Sequence, residues 1–258
     1  MSDLRQSRPY LVLNSTNGTT GKFHDTFAFT DEYFNTISSS IDQYSLARAV
    51  MGTATFPAVF NYMTLRDFSK CATRRVDERF VHVFDGGNSD NLGLLSVIAM
   101  IETMRSHGTL PSKVIVILVD AYTDKAGVSA ERPDPRSPTD FIVDSNFVAA
   151  TDSLLSGNRD KMLDAFRLYF TTQFENKAGP QRSVFYHVEF ADIQNDPMLN
   201  AKLNGIPTDF AISEENAGYI DAALDQLFTR DNGCLQAIKD VLTRGSHQMK
   251  DVTCKYSR

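Results

Sequence analysis

An apolar run, Phe80-Val81-His82-Val83-Phe84, stops at Asp85-Gly86-Gly87 and is followed by Asp90-Asn91-Leu92-Gly93. β-branched and aromatic residues ahead of two glycines, then apolar positions at helical spacing from Leu92 to Met104, predict strand, tight turn and helix. Asp85 then stands at the carboxyl end of a strand, where open α/β sheets gather their ligands. Two chemistries fit that position. The carboxylate can close the turn by accepting backbone N–H groups of the glycines, or it can act as a proton acceptor beside a nucleophile. Asp90 and Asn91 are expected to cap the following helix, and the acid spacing does not match a calcium loop. His82 lies three residues before Asp85, so on a strand the two face opposite ways. It is expected to be a buried structural histidine. His24, His107, His187 and His247 show no ligand spacing, and no Cys-x-x-Cys occurs. No metal site and no cofactor are therefore expected.

Around that block the sequence predicts a short buried strand at Leu11-Val12-Leu13, a turn-rich loop from Asn14 to Gly21, and a strand at Phe27–Thr30. A helix is expected within Ser38 to Val50, ended by Gly52 and Pro57, with a charged hairpin or loop from Thr64 to Arg79. The helix from Leu92 to His107 should end at Gly108 as C-cap. Lys113 to Ala121 holds an unbroken apolar run, as in a strand buried on both faces of a parallel sheet. Strand, helix and strand in this order make a βαβ unit. Thr123 to Thr139 reads as a surface loop. Phe141–Leu155 and Asn158–Asn176 read as two helices separated by Ser156-Gly157-Asn158, Arg182–Phe190 as a strand, Ser213–Arg230 as a helix capped by Ser213, and Cys234–Thr243 as a last helix.

The chain has 258 residues, 42% hydrophobic and 22% charged, as in an ordinary globular protein. A net charge of −6 argues against a nucleic-acid partner, which needs a basic face. The longest strongly apolar stretch, Val114–Val119, has six residues, against the ~20 of a membrane-spanning helix. Met1–Gln6 has no apolar core, so no signal peptide is seen, and cytoplasmic and exported locations both stay open. Cys234 and Cys254 flank the last helix; a disulfide between them and two free thiols remain equal alternatives. Asn14-Ser15-Thr16 and Asn17-Gly18-Thr19 match the glycosylation pattern, but without a secretory context chance in a polar loop is by far the better explanation.

The Asp85-Gly86-Gly87 block with Asp90-Asn91-Leu92-Gly93 resembles the Asp-Gly-Gly/Ala block of patatin-like phospholipases. Three further stretches agree in order. Pro9–Thr16 with Thr20-Gly21-Lys22-Phe23 resembles the strand and loop after the family's nucleophile region. Leu46–Phe60 resembles its Ala-Ser-x-Ala-Phe-Pro-Gly-x-Phe block, and Ile206-Pro207-Thr208-Asp209-Phe210 with Ser213-Glu214-Glu215 resembles a segment common in bacterial members. The family's Gly-x-Ser-x-Gly elbow and Gly-rich oxyanion turn are not present. The nearest approach, Gly127-Val128-Ser129-Ala130-Glu131, lacks the closing glycine, and the first eight residues leave no room for either element.

The resemblance implies an α/β layered domain at 9–228, with a mainly parallel central sheet flanked by helices and its amino-terminal strands missing, followed by a helical extension at 229–258. It implies a lipid acyl hydrolase with a Ser–Asp dyad. Asp85 would be the catalytic Asp, Gly86 and Gly87 its supporting turn, and Phe56 and Phe60 the lining of an acyl pocket. The implied partners are a lipid or fatty-acyl ester, a peripheral membrane contact, and a second copy or partner chain over the missing strands. The alternative is a non-catalytic lipid-binding or regulatory module that kept the scaffold without the serine.

Overall fold

The computed structural model describes residues 9–20, 25–56, 60–69, 79–111, 113–122, 145–175, 183–193, 195–206, 211–230 and 238–239. The chain divides into two compact units, the first made of Met1–Leu110 with Ser137–Phe166, the second of Pro111–Arg136 with Arg167–Arg258.

The first unit is built on four strands, β1 (Asn14–Asn17), β2 (Thr26–Ala28), β3 (Met63–Asp67) and β4 (Arg79–Asp85), in the order β2-β1-β4-β3. All three pairings are antiparallel, with Ser15 opposite Asp85 and Met63 opposite Val83. Alternation decides which face of β4 packs: Val81 and Val83 are buried. They join Phe27, Phe29, Phe34, Ile37, Ile41, Ala49 and Leu65 in one core. Phe29 and Tyr44 stack there with centroids 5.7 Å apart, and Phe34 meets Tyr44 edge-on at 5.2 Å, geometries that add to simple area burial. Among the described residues this unit holds the helices α1 (Asp31–Thr36), α2 (Leu46–Thr53), α3 (Gly87–Asp90) and α4 (Leu94–Ser106), and the part up to Phe166 of a longer helix, α5 (Ser145–Phe170). Gly108 follows α4 at φ 68°, bonding the Arg105 carbonyl, as its expected capping role requires.

Three expectations are corrected here. The first strand is not Leu11–Leu13 but Asn14–Asn17, in the stretch read as a loop. Polar residues fill its buried positions because their hydroxyls find carbonyl acceptors: Ser15 Oγ donates to the Phe27 carbonyl at 2.7 Å, and Thr16 Oγ1 to the Asp85 carbonyl at 2.7 Å. Second, β4, α4 and β5 (Ile115–Asp120) do not form a βαβ unit in one sheet, since β4 and β5 belong to different sheets. β4 pairs instead with β3, its antiparallel neighbour in sequence and in the sheet, in line with the hairpin read for Thr64–Arg79. Third, Ser156-Gly157-Asn158 does not break the chain into separate helices but lies inside α5 (Ser145–Phe170). A Cβ on Gly157 would meet nothing within 4 Å, so the position faces open space, and helix-interior glycine costs only ~1 kcal/mol against alanine.

In the second unit β5 pairs in parallel with β6 (Val184–Glu189), as read for the Lys113–Ala121 run, but the expected burial on both faces is corrected: alternate side chains of β5 face outward, with Ile117 44% and Val119 76% exposed. Helices α6 (Pro197–Asn204) and α7 (Glu214–Arg230) enclose Ile193, Leu199, Leu203 and Ala223. Ser213 caps α7 as expected, its Oγ accepting from Asn216 N at 3.2 Å, with Glu214 and Glu215 in the first turn. The chain is thus mixed α/β, with a small antiparallel sheet and a two-stranded parallel one. Among the described residues no helix is long and apolar enough to cross a membrane. Cys71, Cys234, Cys254, the Thr123–Thr139 loop, the Ser129 stretch, Pro207–Phe210, His24, His247 and nearly all of the 229–258 extension lie outside the described residues.

Candidate functional site

Asp85 is the last residue of β4 and the turn after it begins α3, so backbone pairing on one side and a helical start on the other fix its carboxylate. Oδ1 accepts the Gly87 N–H at 2.7 Å. Burial raises the Asp85 pKa above its ordinary value, and the Gly87 hydrogen bond partly offsets this. The carboxylate is therefore a better proton acceptor than a solvated aspartate.

The two glycines serve this arrangement differently. A Cβ on Gly86 would stand 2.4 Å from the Asn14 carbonyl oxygen, so β1 can lie alongside the turn only without a side chain there. A Cβ on Gly87 would stand 3.0 Å from Asp85 Oδ1 and 3.2 Å from Asn91 Oδ1, crowding the carboxylate itself. The segment after α2 closes the other side, where Asp85 N donates to the Thr55 carbonyl at 3.0 Å and Gly86 N to the Thr53 carbonyl at 3.3 Å. Phe56 thus adjoins the residue paired with Asp85. It is half-buried, while Phe60 is exposed.

A polar frame holds the turn in place. Asp90 is 4% exposed, and its carboxylate accepts Leu95 N at 3.1 Å and Ser96 N at 3.0 Å, capping α4 as expected. Asn14 links this cap to β1, donating from Nδ2 to Asp90 at 3.4 Å and accepting the Ser96 hydroxyl at 2.8 Å. Thr16 Oγ1 is 2.9 Å from Ser89 Oγ. Asp90→Ala, which strands two helix N–H groups in a buried setting, is expected to cost ~2 kcal/mol, the upper end of the range for lost N-caps. Urea denaturation checks it; a loss under ~0.5 kcal/mol, the lower end of that range, would show that water replaces the carboxylate.

His82 is not buried as expected. It is half-exposed, with Nδ1 3.1 Å from Thr64 Oγ1 across the strand pair and its ring 4.4 Å from Tyr62. It makes cross-strand contacts on the face opposite Asp85.

The second unit holds a cluster that the linear spacing of the histidines did not show. His187 Nε2 lies 3.4 Å from Asp120 Oδ2 and 3.8 Å from Glu189 Oε2. Parallel register brings them together, since Leu118 pairs with His187 and Asp120 with Glu189. Two signals in the sequence were available. His187 and Glu189 are two apart on an alternating strand, hence on one face, and Asp120 ends the most apolar run of the chain.

Comparison of the chain with protein-family models, with curated proteins and with solved structures returns no match in any of the three.

Proposed function

We propose that this chain carries the aspartate of a Ser–Asp acyl hydrolase acting on lipid or fatty-acyl esters, with its strands belonging to a layered patatin-like domain. The observation that carries this reading is the Asp85 carboxylate, raised in pKa by burial and steered by the Gly87 N–H at a strand's carboxyl end. No Gly-x-Ser-x-Gly occurs in the 258 residues, so the nucleophile is supplied from outside them, by further sequence or a partner chain. In the first half-reaction the serine oxygen bonds to the ester carbonyl carbon as its proton passes to Asp85; the ester C–O bond then breaks, and Asp85 returns the proton to the departing oxygen so that the alcohol leaves. In the second, water releases the acid by the same route with Asp85 again as base. Phe56 and Phe60, next to the segment bonded to Asp85, suit an acyl chain, and a lipid substrate implies a peripheral membrane contact.

The missing serine motif also favours a second reading, a lipid-binding module without catalysis. Labelling the native gene product with a fluorophosphonate and measuring its intact mass separates the two. An adduct on a species well above 28.8 kDa, or on a partner that co-purifies with the chain, supports the hydrolase. No adduct on either, together with lipid-vesicle binding, overturns it in favour of the module.

A further inference from the structure

We propose that Asp120 Oδ2, His187 Nε2 and Glu189 Oε2 bind a divalent transition-metal ion of the zinc class, a site independent of the hydrolase reading. The three ligand atoms lie within 4.8 Å of one another. The His187–Asp120 and His187–Glu189 separations of 3.4 and 3.8 Å are long for hydrogen bonds, which centre near ~2.9 Å. They are close to the ~3.3–3.5 Å between two ligands that share one ion with bonds of ~2.0–2.2 Å. The donor set matches as well: one imidazole with two carboxylates suits zinc-like ions, whereas an all-oxygen set would suit calcium or magnesium.

The surroundings fix each ligand. Asp120 Oδ1 accepts the Tyr122 N–H at 2.9 Å, which aims Oδ2 at His187. The His187 and Asp120 side chains are 3% and 7% exposed, while Glu189 at 18% forms the solvent side, where an ion can enter. Arg167 Nη2 is 3.5 Å from His187 Nδ1, on the ring edge away from the carboxylates, and its charge offsets some of theirs. Because a guanidinium only donates, metal binding at Nε2, which puts the ring proton on Nδ1, requires Arg167 to turn aside. Three protein ligands leave a fourth position for water. Both carboxylates sit at the carboxyl ends of paired parallel strands, a usual place for ligands in α/β proteins.

The test is calorimetric titration of the chelator-dialysed full chain with Zn²⁺, together with the visible absorption of the Co²⁺ form. One saturable equivalent is expected, with affinity at least ~100-fold lower in His187→Gln and Glu189→Gln, the upper range for losing even a group that merely orients a ligand. Exposed His107→Gln is expected to leave it unchanged. Glu189 lies at the rim, so Glu189→Gln is the variant that decides if His187→Gln fails to fold. No saturable binding by the wild-type chain overturns the proposal. So does Glu189→Gln binding within ~10-fold of wild type, the low end of that range.

Discussion

Replacing Asp85 with Asn is expected to make the chain more stable at neutral pH and, on the hydrolase proposal, to abolish ester hydrolysis by the assembly that supplies the serine. Asn keeps an oxygen for the Gly87 N–H, so the turn survives, but it cannot take the serine proton. Loss of a base that acts with a nucleophile costs ~10⁴–10⁶-fold in rate. The stability half follows from the raised pKa. A folded-state pKa above the unfolded one means that the native state binds more protons in the interval between them, so stability falls as pH rises through that interval. Wild type therefore loses stability upward from about the ordinary aspartate value of 3.8, and Asn does not. The variant should melt higher than wild type at pH 7, with the gap closing below about pH 4, the ordinary aspartate range. Melting curves at both pH values check this on the chain alone. Equal melting at pH 7 would mean that solvent reaches the carboxylate and that no strain is stored in it.

What the sequence disclosed follows how local each determinant is. The β4–turn–α4 stretch was legible because an apolar run, two glycines and a helical apolar repeat act within a few residues of one another, and the Asp90 and Ser213 caps were legible for the same reason. The position of β1 was not. Asn14–Asn17 has the composition of a loop, and it becomes a strand because Phe27 and Asp85, 12 and 69 residues away, offer carbonyls to Ser15 and Thr16. Long-range pairing overrode local composition. The same holds for sheet membership. A strand's own residues predict burial, but the neighbour it takes depends on the rest of the chain, which is why β4 pairs with β3 rather than with β5.

The Asp120–His187–Glu189 cluster shows the corresponding limit for sites. Metal-ligand spacing is sought along the chain, whereas here one ligand ends β5 and two lie on β6, 67 residues later at the nearest. Only the parallel register makes them neighbours. The turn around Asp85 was legible because its elements are contiguous, and even there Asn14, which holds β1 against the turn, gave no signal beyond a glycosylation-like triplet. Its side chain is bonded to Asp90 and Ser96, inside the frame rather than presented for modification.

Gly86→Ala is expected to cost ~3 kcal/mol, the upper end of what overpacking does, because the atoms it meets cannot move aside. The added methyl would stand 2.4 Å from the Asn14 oxygen and 2.9 Å from its carbonyl carbon, both main-chain atoms. Asn14 is held on three sides, by pairing with Ala28 and through its side chain to Asp90 and Ser96. The strain must therefore push β1 away from β4, where Ser15 faces Asp85. Gly87→Ala meets only side-chain oxygens, at 3.0 and 3.2 Å, which can yield. It should cost ~1 kcal/mol, the lower end of the same range, yet turn the Asp85 carboxylate away from its N–H partner. The pair separates scaffold from site: denaturant midpoints should drop sharply for the first variant and little for the second, while the NMR titration of the Asp85 carboxyl should move in the second. If Gly86→Ala unfolds at the wild-type midpoint, the strand does not lie against the turn, and the geometry that presents Asp85 falls with it.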